Sequence, residues 1–202
     1  MKTKLDFLLM VLLMTFAVSL TSCDDDDLDP NTFEGAAAKY VGHTYKLTGV
    51  HWSGTSVDLN GDGTRRWDLM EGEMGQLVGF DPYRHGGVVQ IHRPDATGNS
   101  KPALDFLVAL PFPVYTQVDG KWVADYIMYL SVFPEMVFLG HDRWTSVPYQ
   151  IHNYKTYPFV GKIDNLVVTN LKPDSFDVSV VCCLVNGQNE LEENVLIYSY
   201  KR

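Results

Sequence analysis

The sequence predicts an all-β domain, an antiparallel up-and-down barrel of about eight to ten strands with one short helical turn, the alternative being a β-sandwich. Three observations lead there. Short runs of alternating apolar and polar residues recur along the chain, with Gly, Pro, Asn and Asp between them. No stretch beyond the first 22 residues shows long helical periodicity. Near the C-terminus, strand, Lys172-Pro173-Asp174 turn, strand, Asn186-Gly187 turn and strand follow in the order of a meander.

The elements follow from these rules in order. Gly42 to Trp52 alternates and reads as the first strand. Trp67 to Met74 reads as a short helical turn, with Asp68 and Glu71 near its start and Gly75 as its stop. Leu77 to Phe80 and Gly87 to His92 read as short strands, and Pro94 to Pro102 as a loop. Ala103 to Pro111 is a strongly apolar strand, followed by the runs Val114 to Val118 and Lys121 to Val123. Asp119-Gly120 between alternating runs marks a hairpin, continued by Asp125 to Phe133. Glu135 to Tyr157, aromatic and dotted with prolines, carries no readable period. Phe159 to Thr169, Ser175 to Val185 and Asn194 to Tyr200 complete the strands. In Ser175 to Val185, Phe176, Val178, Val180, Cys182 and Leu184 share one face, which should be the core face.

The N-terminus is different in kind. Lys2 and Lys4 precede an apolar run of about 14 residues, Phe7 to Leu20, too short for a membrane span of ~20 residues but suited to a signal peptide. It ends in Leu20-Thr21-Ser22-Cys23, and Asp24, Asp25, Asp26 and Asp27 follow. The first four residues resemble a bacterial lipobox. That resemblance implies transfer of a diacylglycerol to the Cys23 thiol, cleavage just before Cys23 and acylation of the new amino group, with palmitate among the acyl chains. More than one acyl chain is what stable anchoring takes. The acidic run resembles the surface-export tag of Bacteroidetes lipoproteins. A lone aspartate after the cysteine resembles instead the inner-membrane retention signal of enterobacteria, and the length of the run favours export. The expected organisation is a lipoprotein signal peptide over 1–22, an acidic tether over 23–40 and a β domain over 41–202. The meander from about Tyr45 to Tyr200 resembles the lipocalin-like lipoproteins of Bacteroidetes, which implies a barrel with an open end for a ligand.

Composition narrows the function classes. The chain of 202 residues has a net charge of −9, and loss of the leader with Lys2, Lys4 and Asp6 makes it one unit more negative. An acidic surface disfavours nucleic acid and anionic lipid as partners. Cys23 is assigned to lipid, which leaves Cys182 and Cys183. Adjacent cysteines form a disulfide only under strain, so free thiols are expected, with a vicinal bridge as the alternative.

Asp58-Leu59-Asn60-Gly61-Asp62-Gly63 resembles the start of an EF-hand or dockerin calcium loop. The resemblance implies Asp58, Asn60 and Asp62 as ligands, with the Thr64 carbonyl next. It departs at the twelfth position, which is Leu69, so Asp68 or Glu71 must close the site. The other reading is a turn whose side chains bind its own amides. His43, His51, His85, His92, His141 and His152 show no metal-ligand spacing. His85 with His92, His141 with Asp142, and Cys183 near an unspecified histidine are the weaker constellations. No Gly-x-Ser-x-Gly nucleophile motif occurs. Trp52, Trp67, Trp122, Trp144, Tyr83, Tyr115, Tyr149, Tyr154 and Tyr157 would line a cavity, form a sugar platform or pack the core. The expected function is a non-catalytic, membrane-anchored surface module that binds a small apolar molecule or glycan. The alternatives are a structural or accessory envelope lipoprotein acting through protein contacts and, third, a hydrolase. A filled barrel centre would argue against an interior carrier.

Overall fold

The computed structural model describes residues 28–83, 86–92, 101–149 and 163–202. Nine strands form one antiparallel sheet: β1 (Thr44–Trp52), β2 (Gly87–Ile91), β3 (Ala103–Val118), β4 (Lys121–Val132), β5 (Glu135–Gly140), β6 (Arg143–Val147), β7 (Ile163–Lys172), β8 (Ser175–Val185) and β9 (Leu191–Lys201). Of the sequence neighbours, β1–β2, β2–β3, β3–β4, β5–β6, β7–β8 and β8–β9 pair, and β9 returns to β1 from Lys46↔Lys201 to Trp52↔Leu196. β4 and β5 lie along successive parts of β3, separated at Phe133-Pro134, where the Phe106 amide donates to the Pro134 carbonyl. They act as one bent strand, so the sheet is an up-and-down barrel of eight positions. It is nearly closed. β6 meets β7 through the Tyr149↔Leu166 bridge and a Val168 amide bond to Ser146 Oγ. Closure decides for the barrel over the sandwich.

Several expectations shift by local physics. β3 runs through Pro111 and Pro113 to Val118. Past Leu107 the edge of β3 away from β4 carries no strand partner among the described residues, so two missing amides cost no ladder bonds there. β5 and β6 emerge from the segment without a period. Leu77 to Phe80 contributes a single parallel bridge, Val78↔Tyr126. The helical turn expected over Trp67 to Met74 is displaced to a 3-10 turn at Met74–Gln76, which includes Gly75, the expected stop.

Within residues assigned to a tether, Phe33–Ala38 form a helix, α1. Thr32 caps it by accepting the Gly35 amide. Ala36, Ala37 and Tyr40 are buried. Phe33 and Tyr40 pack on Trp144, and Lys39 pairs with Asp142 at 2.6 Å. α1 therefore covers the barrel end where β1 begins. At the other end, Val57, Leu59, Leu69 and Met74 of the long β1–β2 connection join the core around buried Trp52. The β3–β4 hairpin reaches that end too, where Tyr115 Oη accepts the Val185 amide.

The barrel centre is packed. Tyr45, Phe106, Phe176, Tyr198 and Tyr200 are essentially inaccessible to water. Phe176 stacks on Tyr200 at 5.0 Å and 14° and meets Tyr45 and Phe106 edge-on at 5.0 and 4.9 Å. The expected inward face of β8, including Cys182, is buried throughout.

Candidate functional site

Cys23, expected to carry a lipid, and Asp24, Asp25, Asp26 and Asp27, expected to form an export tag, lie outside the described residues. Among the described residues, no helix is long and apolar enough to cross a membrane.

The Asp58 loop is ordered by its own side chains. Asp58 accepts the Asp62 and Gly63 amides at 3.1 and 2.9 Å. Asn60 Oδ1 also accepts the Asp62 amide, and Asp62 accepts that of Thr64 at 2.7 Å. These are the Asx-type bonds that fold a turn of this composition. Asp68, expected as a closing ligand, instead bridges to His51 and accepts the Met70 amide, and Glu71 is exposed. The carboxylate that converges with Asp58 and Asp62 is Glu73, with all three within 4.8 Å of one another. Glu73 is 0% exposed and receives the Leu59 amide (2.6 Å), the Asn60 amide (3.2 Å) and Arg66 Nη1 (2.6 Å).

Arg66 is the organising cation of this loop. It also binds Asp62 at 3.0 Å and donates to the Thr64 and Gly72 carbonyls. Its guanidinium, followed by the Thr64 amide, holds the Asp62 carboxyl down at about 2. The oxygens that a cation would draw together, those of Asp62, Thr64 and Glu73, are thus already gathered by a positive charge built into the chain. Sequence spacing pointed to Asp68 because it counted along one loop. The buried partner lies five residues further on.

A second constellation sits on the outer wall. His92 follows β2, Asp105 lies on β3 and Glu135 begins β5. His92 Nδ1 is 2.9 Å from Asp105 Oδ1 and 3.7 Å from Glu135 Oε1. Asp105 and Glu135 are direct cross-strand partners, and Asp105 also faces Gln90. The sequence signal for this trio was slight: one carboxylate inside an otherwise apolar run. Along β3 the outward residues continue as Leu107 and Ala109. With Gly86, Val108, Ser131, Val132 and Phe133 they line a shallow groove of about 310 Å³. Phe133 and neighbouring Val88 are exposed.

The remaining candidates disperse. His85, His152, Tyr154 and Tyr157 lie outside the described residues. His141 contacts Asn31 while Asp142 turns to Lys39, so the two do not form an acid–base pair. Cys182 and Cys183 are free thiols, and burial raises the Cys182 pKa. Trp52 and Tyr115 are core, Trp144 packs on α1, and Trp67 and Tyr83 are separately exposed. The Trp122 backbone is held by Asn189, and Tyr149 pairs with Leu166. Among the described residues, the rings do not assemble into one platform. No known protein family, curated protein or solved structure matches the chain.

Proposed function

We propose that this chain is a non-catalytic lipoprotein of the bacterial cell surface. Cys23 carries the lipid, the acidic run directs export, and the barrel serves as a solid accessory scaffold acting through protein contacts on its outer wall. The packed centre carries this reading. A carrier needs a cavity of roughly 300–1,000 Å³ to bury a small ligand. Here Phe176 touches Tyr45, Phe106 and Tyr200 across the space such a ligand would take. Gly87 lacks a side chain at the same place, and a Cβ there would stand 3.0 Å from Phe176 Cζ and 3.3 Å from Tyr200 Cδ1. Between an interior carrier and a surface-acting lipoprotein, this packing favours the second.

The anchor and the address are tested together in the producing cell. Labelled palmitate should enter the wild type and not Cys23→Ala. External protease should cleave the wild type, and replacing Asp24 to Asp27 with alanine should remove that accessibility while leaving palmitate in place. Palmitate on Cys23→Ala would defeat the anchor, and unchanged accessibility in the alanine variant would defeat the export tag.

A further inference from the structure

We infer that His92, Asp105 and Glu135 form an outer-wall binding site for a divalent transition-metal ion of the zinc class. The donor types fit. An imidazole with two carboxylates suits Zn²⁺ and its neighbours, whereas Ca²⁺ and Mg²⁺ take oxygen ligands alone.

The spacing fits as well. Ligands at ~2.0–2.1 Å on a tetrahedral ion lie about 3.3–3.4 Å apart. The two measured separations from His92 Nδ1, 2.9 and 3.7 Å, bracket that edge. The three donor atoms all lie within 4.8 Å of one another, on partly exposed side chains that are 24%, 18% and 38% accessible.

The framework is rigid at each ligand. The His92 amide donates to the Ala103 carbonyl, and Asp105 sits in ladder register with Gln90 on one side and Glu135 on the other. That register also supplies a reason for a cation. Two carboxylates directly opposite on adjacent strands repel. Among the described residues, the imidazole is the group within ion-pairing distance of both. A neutral imidazole brings no charge to the pair, whereas a divalent ion balances both charges and takes the imidazole as a third ligand. Ligation through Nδ1 takes the tautomer that carries its proton on Nε2: a neutral ring protonated at Nδ1 exchanges that proton to Nε2 through solvent, and an imidazolium releases its Nδ1 proton to solvent.

Three protein ligands leave at least one coordination position open. The trio stands at one end of the Leu107–Ala109–Phe133 groove, so the open position is accessible to a donor group from a partner lying along the wall. The site stands independently of the lipid anchor.

The test titrates the full chain with Zn²⁺ by calorimetry, in the presence of excess Mg²⁺, for wild type, His92→Ala, Asp105→Asn, Glu135→Gln and the control His141→Ala. Folding of each variant is checked by its metal-free Tm. One zinc per chain is expected, weakened at least about tenfold by each of the three substitutions and unchanged by His141→Ala. Co²⁺ should give a visible d–d absorption that Asp105→Asn, an isosteric change, alters or abolishes. Absence of zinc binding overturns the site. So does binding that survives both His92→Ala and Asp105→Asn, or that His141→Ala removes equally.

Discussion

Arg66 Nη1 meets the Glu73 carboxylate at 2.6 Å in an ion pair sealed from water on one side only, with Glu73 fully buried and Arg66 31% exposed. Removing one partner of a buried pair strands the other charge. Arg66→Ala should therefore destabilise the domain, by less than the loss of one partner from a pair buried at both ends. Urea unfolding with unchanged slope measures it. A loss under about 0.5 kcal/mol, the level of ordinary surface substitutions, would mean that the two backbone amides alone satisfy Glu73.

Because Arg66 already joins Asp62 to Glu73, calcium has little to gain at this loop. Wild-type protein should show neither binding heat nor a Tm shift at millimolar calcium. A saturable shift, lost in Asp58→Asn, would establish the EF-hand-like reading of Asp58, Asn60, Asp62 and Thr64.

Asp62 gives a pH signature. Its carboxyl is held at about 2 by the Arg66 guanidinium and the Thr64 amide. A lowered folded-state pKa contributes stability that is present above the ordinary carboxylate value of about 4 and lost as pH falls through about 2. The stability gap between wild type and Asp62→Asn should stay constant from neutral pH down to about 4 and close below it. A gap that widens on acidification would reverse the assigned sign.

The extent to which this structure was legible in sequence varied with how local each determinant was. Ser175–Val185 alternates over a full strand, so its buried face, Cys182 included, followed from period alone. Asp119-Gly120 fixed its hairpin because the turn needs positive φ at both residues, and both have it. The runs Ala103–Pro111 and Val114–Val118 join into one strand because a proline ends a strand only where its amide is needed, and the lack of a partner on that edge of β3 among the described residues is a tertiary fact. Phe33–Ala38 looked like tether because six residues carry little helical period. Glu73 and the His92–Asp105–Glu135 trio depend on folding and register. Their partners stand 7 to 14 residues apart in one case and, in the other, on β3, on β5 and just past the end of β2.

The adjacent thiols should part company chemically. Cys182 faces the core and burial raises its pKa, whereas Cys183 is half-exposed. The thiolate is the reactive form. Under native conditions a maleimide should modify Cys183 first, and Cys182 only as fast as the barrel opens. Equal rates would show that β8 is not held as described.

Packing at the centre should be intolerant in both directions. Phe176→Ala removes a ring in contact with Tyr45, Phe106 and Tyr200 and should cost about 3–5 kcal/mol. Gly87→Ala forces a methyl between Phe176, Val108 and Tyr200 and should cost about 1–3 kcal/mol. Differential scanning calorimetry of the two variants gives both values. A neutral Gly87→Ala would reveal slack where none is expected.

The most direct test of a solid barrel is titration of the purified chain with a fluorescent long-chain fatty acid. A packed centre predicts no saturable blue shift up to the solubility of the probe. Saturable binding of one probe per chain, blocked by Gly87→Leu at the barrel centre, would contradict it and return the protein to the ligand carriers.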